Sequence, residues 1–149
     1  MPKLLVLYYS RTGNTEKMAR AFVEGAQEVP GVEVQLSIDF EVTAADLEAA
    51  DAIVVGMPTY HHDMTQSTKK VFEDAAVKGV NLKGKVGAAF GSYGWSGEAP
   101  RLVLEILKNR FEMDVVPQPQ LIKYAPDTAG LTKCRELGRQ IAERLIQHA

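Results

Sequence analysis

Apolar residues gather into short runs that are separated by longer segments of mixed polarity. The runs Leu4–Tyr9, Ala52–Gly56 and Val86–Phe90 are almost continuously apolar, which is typical of strands buried on both faces of a parallel sheet. Val32–Leu36 alternates apolar and polar positions, which predicts a strand nearer an edge. Val115–Tyr124 is predicted to be extended but contains two prolines. Because proline lacks the donor of a sheet ladder, the prolines indicate an edge or a bulge.

Each of these strands is followed by a segment that predicts a helix, most clearly where apolar residues recur at helical spacing. The predicted helices are Asn14–Gln27, Thr43–Ala50, Gln66–Lys78, Glu98–Phe111 and Pro126–Gln147. Five successive strand–helix units predict right-handed crossovers and an α/β fold, a doubly wound five-stranded parallel sheet with helices on both faces. Ligands of such sheets bind beyond the carboxyl ends of the strands, so the loops after strands one, three and four form the candidate site.

Length and composition fit one folded domain. The chain has 149 residues, of which 46% are hydrophobic and 24% are charged, so we expect a single domain over residues 1–149 and exclude whole-chain disorder. The 17 Lys and Arg residues against 19 Asp and Glu residues give a net charge of −2. This balance argues against a nucleic-acid partner, since nucleic-acid binders usually carry a basic excess.

Cysteine content and hydropathy bear on the location of the protein. Cys134 is the only cysteine, so an intramolecular disulfide is impossible and a reducing compartment is consistent with the sequence. No stretch reaches the roughly 18 consecutive apolar residues of a membrane span, and the first apolar run is too short for a signal peptide. We therefore expect a cytoplasmic protein without a membrane partner.

The loop after the first strand is rich in hydroxyl groups, because residues 10–15 are Ser, Arg, Thr, Gly, Asn and Thr. Gly13 permits a sharp turn, and the amino end of the next helix presents unpaired N–H groups and a positive dipole. This combination predicts a nest for a phosphate group, with a hydroxyl-rich helix cap that binds no ligand as the alternative. Arg11 either pairs with the phosphate or stays in solvent. The dinucleotide-binding pattern G-x-G-x-x-G is absent from this loop.

The loop after the third strand, Gly56–Asp63, combines a proline with aromatic rings. Pro58 stiffens the exit from the sheet, and Tyr60 offers a flat ring where a core residue is not expected. His61 and His62 are adjacent, so their side chains point in different directions, and no nearby Cys or Glu set completes a metal site. We therefore expect no metal here and assign the two histidines to exposed or cofactor-lining positions.

The loop after the fourth strand, Gly91–Glu98, contains three glycines and two aromatic residues, Tyr93 and Trp95. Such a loop lets the backbone approach a flat ligand while an aromatic ring stacks on it. A phosphate nest beside flat aromatic surfaces predicts one ligand with a phosphate tail and a planar ring system. Flavin mononucleotide (FMN) fits this description, and doubly wound sheets bind it at the same edge.

The three loops together resemble those of the flavodoxin family. Ser10–Glu16 is similar to the phosphate loop of the family, Pro58–Tyr60 to its middle flavin loop, and Phe90–Gly97 to the third loop of the flavodoxin-like domain of A-type flavoproteins (flavodiiron proteins). The resemblance covers the whole chain in element order and implies the strand order 2-1-3-4-5. The metal-bearing domain of flavodiiron proteins and the long insertion of long-chain flavodoxins are absent, so we expect a free-standing short-chain flavodoxin.

The resemblance implies an electron-transfer protein that carries one or two electrons on a non-covalently bound FMN. The implied partners are redox proteins, a reductase or ferredoxin-type donor and a low-potential acceptor, and the carrier is expected to be a monomer or weak dimer. No residue is assigned a catalytic role. The implied FMN contacts are Ser10, Arg11, Thr12, Gly13, Asn14 and Thr15 around the phosphate, and Pro58, Thr59, Tyr60, His61, His62, Ser92, Tyr93, Gly94, Trp95, Ser96 and Gly97 around the ring.

Two features depart from the pattern of the family. Many flavodoxins move a peptide beside the flavin at a glycine, whereas Tyr60–Asp63 contains no glycine, and a positive φ is unfavourable for its residues. His61 or His62 could instead supply a pH-dependent charge near the ring. The net charge of −2 is weak for a family that usually docks basic partners on an acidic surface. Docking is therefore expected to rely on a local acidic patch or on apolar contacts.

Two other functions stay open from the sequence. One is an FMN-dependent oxidoreductase that acts on a quinone or small substrate with NAD(P)H, a class that usually needs an open flavin face. The other is an interaction module with this fold that binds no flavin.

Overall fold

Within residues 1–59, 63–94 and 96–147, which this computed structural model describes, six strands form one parallel sheet. The strands run in the order β2-β1-β3-β4-β5, and β6 also pairs with β4. All of these pairings are parallel, which confirms the predicted doubly wound sheet with order 2-1-3-4-5. The strands are β1 (Lys3–Tyr8), β2 (Glu33–Ile38), β3 (Ala52–Gly56), β4 (Val86–Tyr93), β5 (Asp114–Val115) and β6 (Gln120–Lys123).

Helices connect the strands and cover both faces of the sheet. They are α1 (Asn14–Gln27), α2 (Ala44–Ala49), α3 (Gln66–Val77), α4 (Glu98–Asn109) and α5 (Thr128–Gln147), and a 3-10 turn at Asp39–Glu41 follows β2. The five predicted helices are confirmed to within two residues at each end. None of the helices in the described part of the chain is both long and apolar enough to cross a membrane.

The core lies in two layers because side chains alternate between the faces of each central strand. Leu4 and Val6 of β1 pack with α1 and α5, whereas Leu5 and Leu7 pack with α2, α3 and α4. All four side chains are fully buried, as expected for a strand between two helical layers. β2 is only partly buried along its length, which agrees with its predicted place at an edge.

Two elements differ from the sequence prediction. The predicted fifth strand is divided into β5 and β6, and the residues between them include Pro117 and Pro119, which cannot donate to a ladder. β4 continues through Tyr93, beyond its predicted end at Phe90. Gly91 to Tyr93, expected to be loop, pair with β6 in parallel register, and this pairing explains the extension.

Candidate functional site

The three loops of the predicted site leave the sheet from one edge. The Tyr9 N–H donates to the Gly56 carbonyl at 2.9 Å, and the Met57 N–H donates to the Phe90 carbonyl at 3.1 Å. These bonds continue the ladder past the ends of β1 and β3, so the loops after β1, β3 and β4 start side by side. The parallel topology therefore brings the three predicted loops together, as expected for a doubly wound sheet.

The first loop turns at Gly13, whose φ is 92°. A Cβ at this position would meet no atom within 4 Å, so the need for glycine is conformational rather than steric. The Gly13 N–H donates to Ser10 Oγ at 3.0 Å and closes the turn from within. Because the Ser10 hydroxyl accepts this bond with its oxygen, its own O–H stays available to donate to a ligand.

The amino end of α1 follows directly on this turn and has no side-chain cap. The Lys17 N–H donates to the Gly13 carbonyl at 3.1 Å, and the N–H groups before it lie in the first turn, where a helix has no internal acceptor. Arg11 and Thr12 beside this end are exposed, and Asn14 is half-buried. The uncapped helix end, with its positive dipole, is suited to a bound anion.

Thr15 and Ser92, predicted to contact different parts of one ligand, are joined to each other. Thr15 is 1% exposed and Ser92 is 7% exposed, and their hydroxyl oxygens lie 3.1 Å apart. Since both hydroxyls are buried and hydrogen-bonded, they fix the start of α1 against the end of β4. The first and third loops therefore form one connected structure.

The second loop is tied to the third in a similar way. Thr59 Oγ1 accepts a hydrogen bond from the Ala99 N–H at 3.0 Å, which satisfies one amino-terminal group of α4. A Cβ on Gly91 would lie 2.0 Å from the Met57 carbonyl oxygen, so only glycine permits this approach of the two backbones. Pro58 and Thr59 are both half-buried. The capping role of Thr59 was not predicted, since its partner is remote in sequence.

The third loop is only partly enclosed. Tyr93 is half-buried, and its ring lies against Gly97, where a Cβ would come within 3.3 Å of it. Gly94 is exposed, whereas Ser96 and Gly97 are half-buried. Four of the predicted ring contacts, Tyr60, His61, His62 and Trp95, lie outside the described residues.

Tyr124 is an exposed aromatic residue at this edge that the sequence analysis did not assign to the site. Its N–H donates to the Tyr93 carbonyl at 2.6 Å, its ring faces Gly94, and the residue is 62% exposed. The Lys123 ammonium lies 5.3 Å from the centre of the ring, within range of a cation–π interaction. The feature of the sequence that could have indicated Tyr124 is its position immediately after β6, at the carboxyl edge of the sheet.

An open cleft of about 600 Å³ lies beside the first loop, between Tyr9 and Arg11 on one side and Asp63–Lys69 on the other. Lys69 Nζ hydrogen-bonds the Asp63 carboxylate, and this bond is the main cause that holds the pKa of Asp63 below its usual value. The Met64 N–H adds a second hydrogen bond to this carboxylate, at 2.8 Å. The negative charge of Asp63 is therefore balanced locally.

The arrangement fits a phosphorylated planar ligand such as FMN. The uncapped end of α1 and the open turn at Gly13 supply N–H donors and space for a phosphate group. The third loop is joined to α1 through the buried hydrogen bond between Thr15 and Ser92. The second loop is joined to the start of α4 through the bond between Thr59 and Ala99. Within the described residues, no group of three or more His, Cys, Asp or Glu side chains could hold a metal ion.

Comparisons with known proteins point to the same ligand. A family model described as Flavodoxin matches residues 6–138. The chain is 39% identical to a type A flavoprotein, fprA, of Rhodobacter capsulatus over 98% of its own length, and 34% identical to a flavodoxin of Aquifex aeolicus over 96%. A solved structure of a flavodoxin from the domain Archaea matches with a TM-score of 0.89 and 37% identity, covering 97% of this chain and 99% of that one.

The matched relatives differ in length. The chain spans 34% of the length of the Rhodobacter capsulatus flavoprotein and 86% of the Aquifex aeolicus flavodoxin. The shared part contains the sheet and all three loops, since the family match runs from within β1 into α5. The chain therefore belongs to the flavodoxin family, whose members bind FMN and transfer electrons to redox partners.

Proposed function

We propose that residues 1–149 are a single FMN-binding domain that passes one or two electrons at a time from a reductase or ferredoxin-type donor to a low-potential acceptor. The observation that carries this proposal is the buried hydrogen bond between Thr15 and Ser92. It ties the phosphate-type loop to the third loop at the edge where ligands of doubly wound sheets bind. This tie supports one ligand that spans both loops, rather than two unrelated sites.

Bound FMN supplies the electron chemistry, and the protein supplies binding, orientation and electrostatics. We assign the phosphate to the amino end of α1, with O–H donors from Ser10 and Thr12, the amide of Asn14 and positive charge from Arg11. We assign the ring to residues 58–62 and 92–97. In this assignment Thr15, Thr59 and Ser92 also hold the loops together through their hydrogen bonds to other elements.

The charges at this edge favour docking through apolar and aromatic contacts over docking on an acidic patch. The Asp63 carboxylate is paired with Lys69, Arg11 is exposed, and Lys123 lies over the exposed ring of Tyr124. We therefore propose that Tyr124 contacts the redox partner directly. We further propose a cytoplasmic monomer or weak dimer, consistent with the single, buried Cys134.

The test is a reductive titration of the purified full-length chain. We expect a yellow protein with about one FMN per chain, identified by chromatography after heat release, since the proposal has one site. Once reduced without oxygen, it should pass its electrons to a one-electron protein acceptor such as a cytochrome. A colourless protein that takes up no added FMN would contradict the proposal. Rapid steady-state oxidation of NAD(P)H by a quinone would also contradict it and would favour an oxidoreductase.

A further inference from the structure

Asp39 is a buried carboxylate at the carboxyl end of β2, outside the three loops of the site. It is 1% exposed and begins the 3-10 turn that follows β2. Its Oδ2 accepts hydrogen bonds from Ser67 Oγ at 2.7 Å and from Thr68 Oγ1 at 3.0 Å, both in the first turn of α3. Among the residues that the structure describes, its buried Oδ1 has no hydrogen-bond partner. Burial of a carboxylate with one unpaired oxygen costs stability. The burial of Asp39 therefore does not by itself explain why its carboxylate binds Ser67 and Thr68.

A surface cleft of about 220 Å³ lies between the 3-10 turn, α2 and α3, and its lining includes Asp39, Phe40, Ser67 and Val71. Leu47 of α2 and Val71 of α3 belong to the same buried apolar cluster. The two hydrogen bonds of Asp39 add a polar connection between the 3-10 turn and the first turn of α3.

The hydrogen bonds continue from α3 back into the second loop. Thr68 Oγ1 lies 2.8 Å from the Oγ1 of Thr65, a residue that is 7% exposed and directly precedes α3. Met64 is buried in the core beside it, and Asp63 is bound to Lys69 of the same helix. Asp63–Thr65 is thus held to the first turn of α3, and in the sequence it directly follows residues 58–62.

We infer that Asp39 is a positioning residue for the ring-binding loop: its carboxylate fixes the first turn of α3 and, through it, the end of the second loop. The inference rests on the proposed function, because it takes residues 58–62 as ring contacts. The phosphate nest is formed by the loop between β1 and α1, whereas Asp39 makes its two side-chain hydrogen bonds to α3. Loss of Asp39 therefore weakens binding of the flavin ring and leaves binding of the phosphate unchanged.

The experiment compares two flavins on the full-length chain, FMN and riboflavin, which lacks the phosphate. Asp39→Ala should raise both dissociation constants by the same factor, roughly tenfold, measured by quenching of flavin fluorescence. Asp39→Asn keeps a carbonyl oxygen for the two hydroxyls and should raise them less. Ser67→Ala removes one of the two donors and should give a smaller change in the same direction. The visible circular dichroism spectrum of bound FMN should change in each variant. This spectrum replaces the riboflavin titration if riboflavin binds too weakly to be titrated.

Asp46→Ala is the matched control. Asp46 is a carboxylate in the capping box of α2, where it accepts the Thr43 N–H at 2.9 Å. Its loss should lower stability without changing either dissociation constant. The inference is overturned if Asp39→Ala behaves like this control, or if it weakens FMN alone. If Asp39→Ala does not fold, Ser67→Ala decides by the same criteria. A wild-type chain that binds neither flavin would instead contradict the proposed function.

Discussion

The hydroxyl oxygens of Thr15 and Ser92 lie 3.1 Å apart in the interior of the protein, although the two residues are 77 positions apart in the chain. Thr15 belongs to the first turn of α1, and Ser92 lies near the end of β4. Both residues are almost fully buried, so each hydroxyl depends on the other in place of water. The pair therefore couples the conformation of the phosphate-type loop to that of the third loop.

Removal of either hydroxyl of this pair should destabilise the fold. Ser92→Ala leaves the Thr15 hydroxyl buried without its partner, which costs about 1–3 kcal/mol of unfolding free energy. Thr15→Val should cost a similar amount. The double variant should lose less than the sum of the two, since the orphaned group is then absent. Urea denaturation of the four proteins measures this coupling, and strictly additive losses would contradict it.

The sheet and helices could be predicted because their signals are local. Continuous apolar runs such as Ala52–Gly56 indicate strands buried on both faces, and the structure has β3 at the same residues. The predicted helix Asn14–Gln27 is likewise found at those residues. The strand order followed from the resemblance, and it is confirmed by the strand pairings.

The connections within the site could not be predicted because each depends on a partner distant in sequence. The extension of β4 to Tyr93 requires pairing with β6. The capping of α4 by Thr59 requires the second loop to reach Ala99. The bond from the Tyr124 N–H to the Tyr93 carbonyl requires β6 to lie beside β4. The residue type of Thr59 suggested a ligand contact but not its hydrogen bond to the Ala99 N–H, which depends on the fold.

Alanine should destabilise the fold at Gly91 but have little effect at Gly94. Gly91→Ala places a Cβ 2.0 Å from the Met57 carbonyl oxygen, so the backbone must move and the unfolding free energy should fall by about 1–3 kcal/mol. Gly94→Ala meets nothing closer than 3.8 Å, at Tyr124, and should change stability by less than about 0.5 kcal/mol. Chemical denaturation of both variants is the measurement. Equal losses in the two would contradict the close approach of the second and third loops.

The ion pair between Asp63 and Lys69 should make stability depend on pH. The hydrogen bond from Lys69 is the largest cause of the lowered pKa of Asp63. A carboxyl group of this kind stabilises the fold above its unfolded pKa of about 3.9, and the stabilisation is lost as the pH falls through the folded pKa. Lys69→Met should therefore cost less than about 1 kcal/mol at neutral pH, since both side chains are partly exposed.

The difference between Lys69→Met and wild type should then narrow in acid, because protonated Asp63 no longer attracts the ammonium. Urea denaturation at about pH 7 and about pH 3 measures it. Lys70→Met is the control, since the pair of Lys70 with Asp74 is more exposed and should contribute little at either pH. A difference for Lys69→Met that is the same at both pH values would contradict the assignment.

Alanine substitutions at Gly13 and Gly79 distinguish an effect on stability from an effect on FMN binding. Both have positive φ, 92° and 69°, and at both a Cβ would meet no atom within 4 Å. Alanine at either position should therefore cost a similar amount, about 1–2 kcal/mol, through backbone strain alone. Only Gly13 lies in the turn before the uncapped end of α1, so only Gly13→Ala should weaken FMN binding, by several-fold or more. Titration of FMN with each variant tests this, and equal FMN affinity in the two variants would remove Gly13 from the phosphate nest.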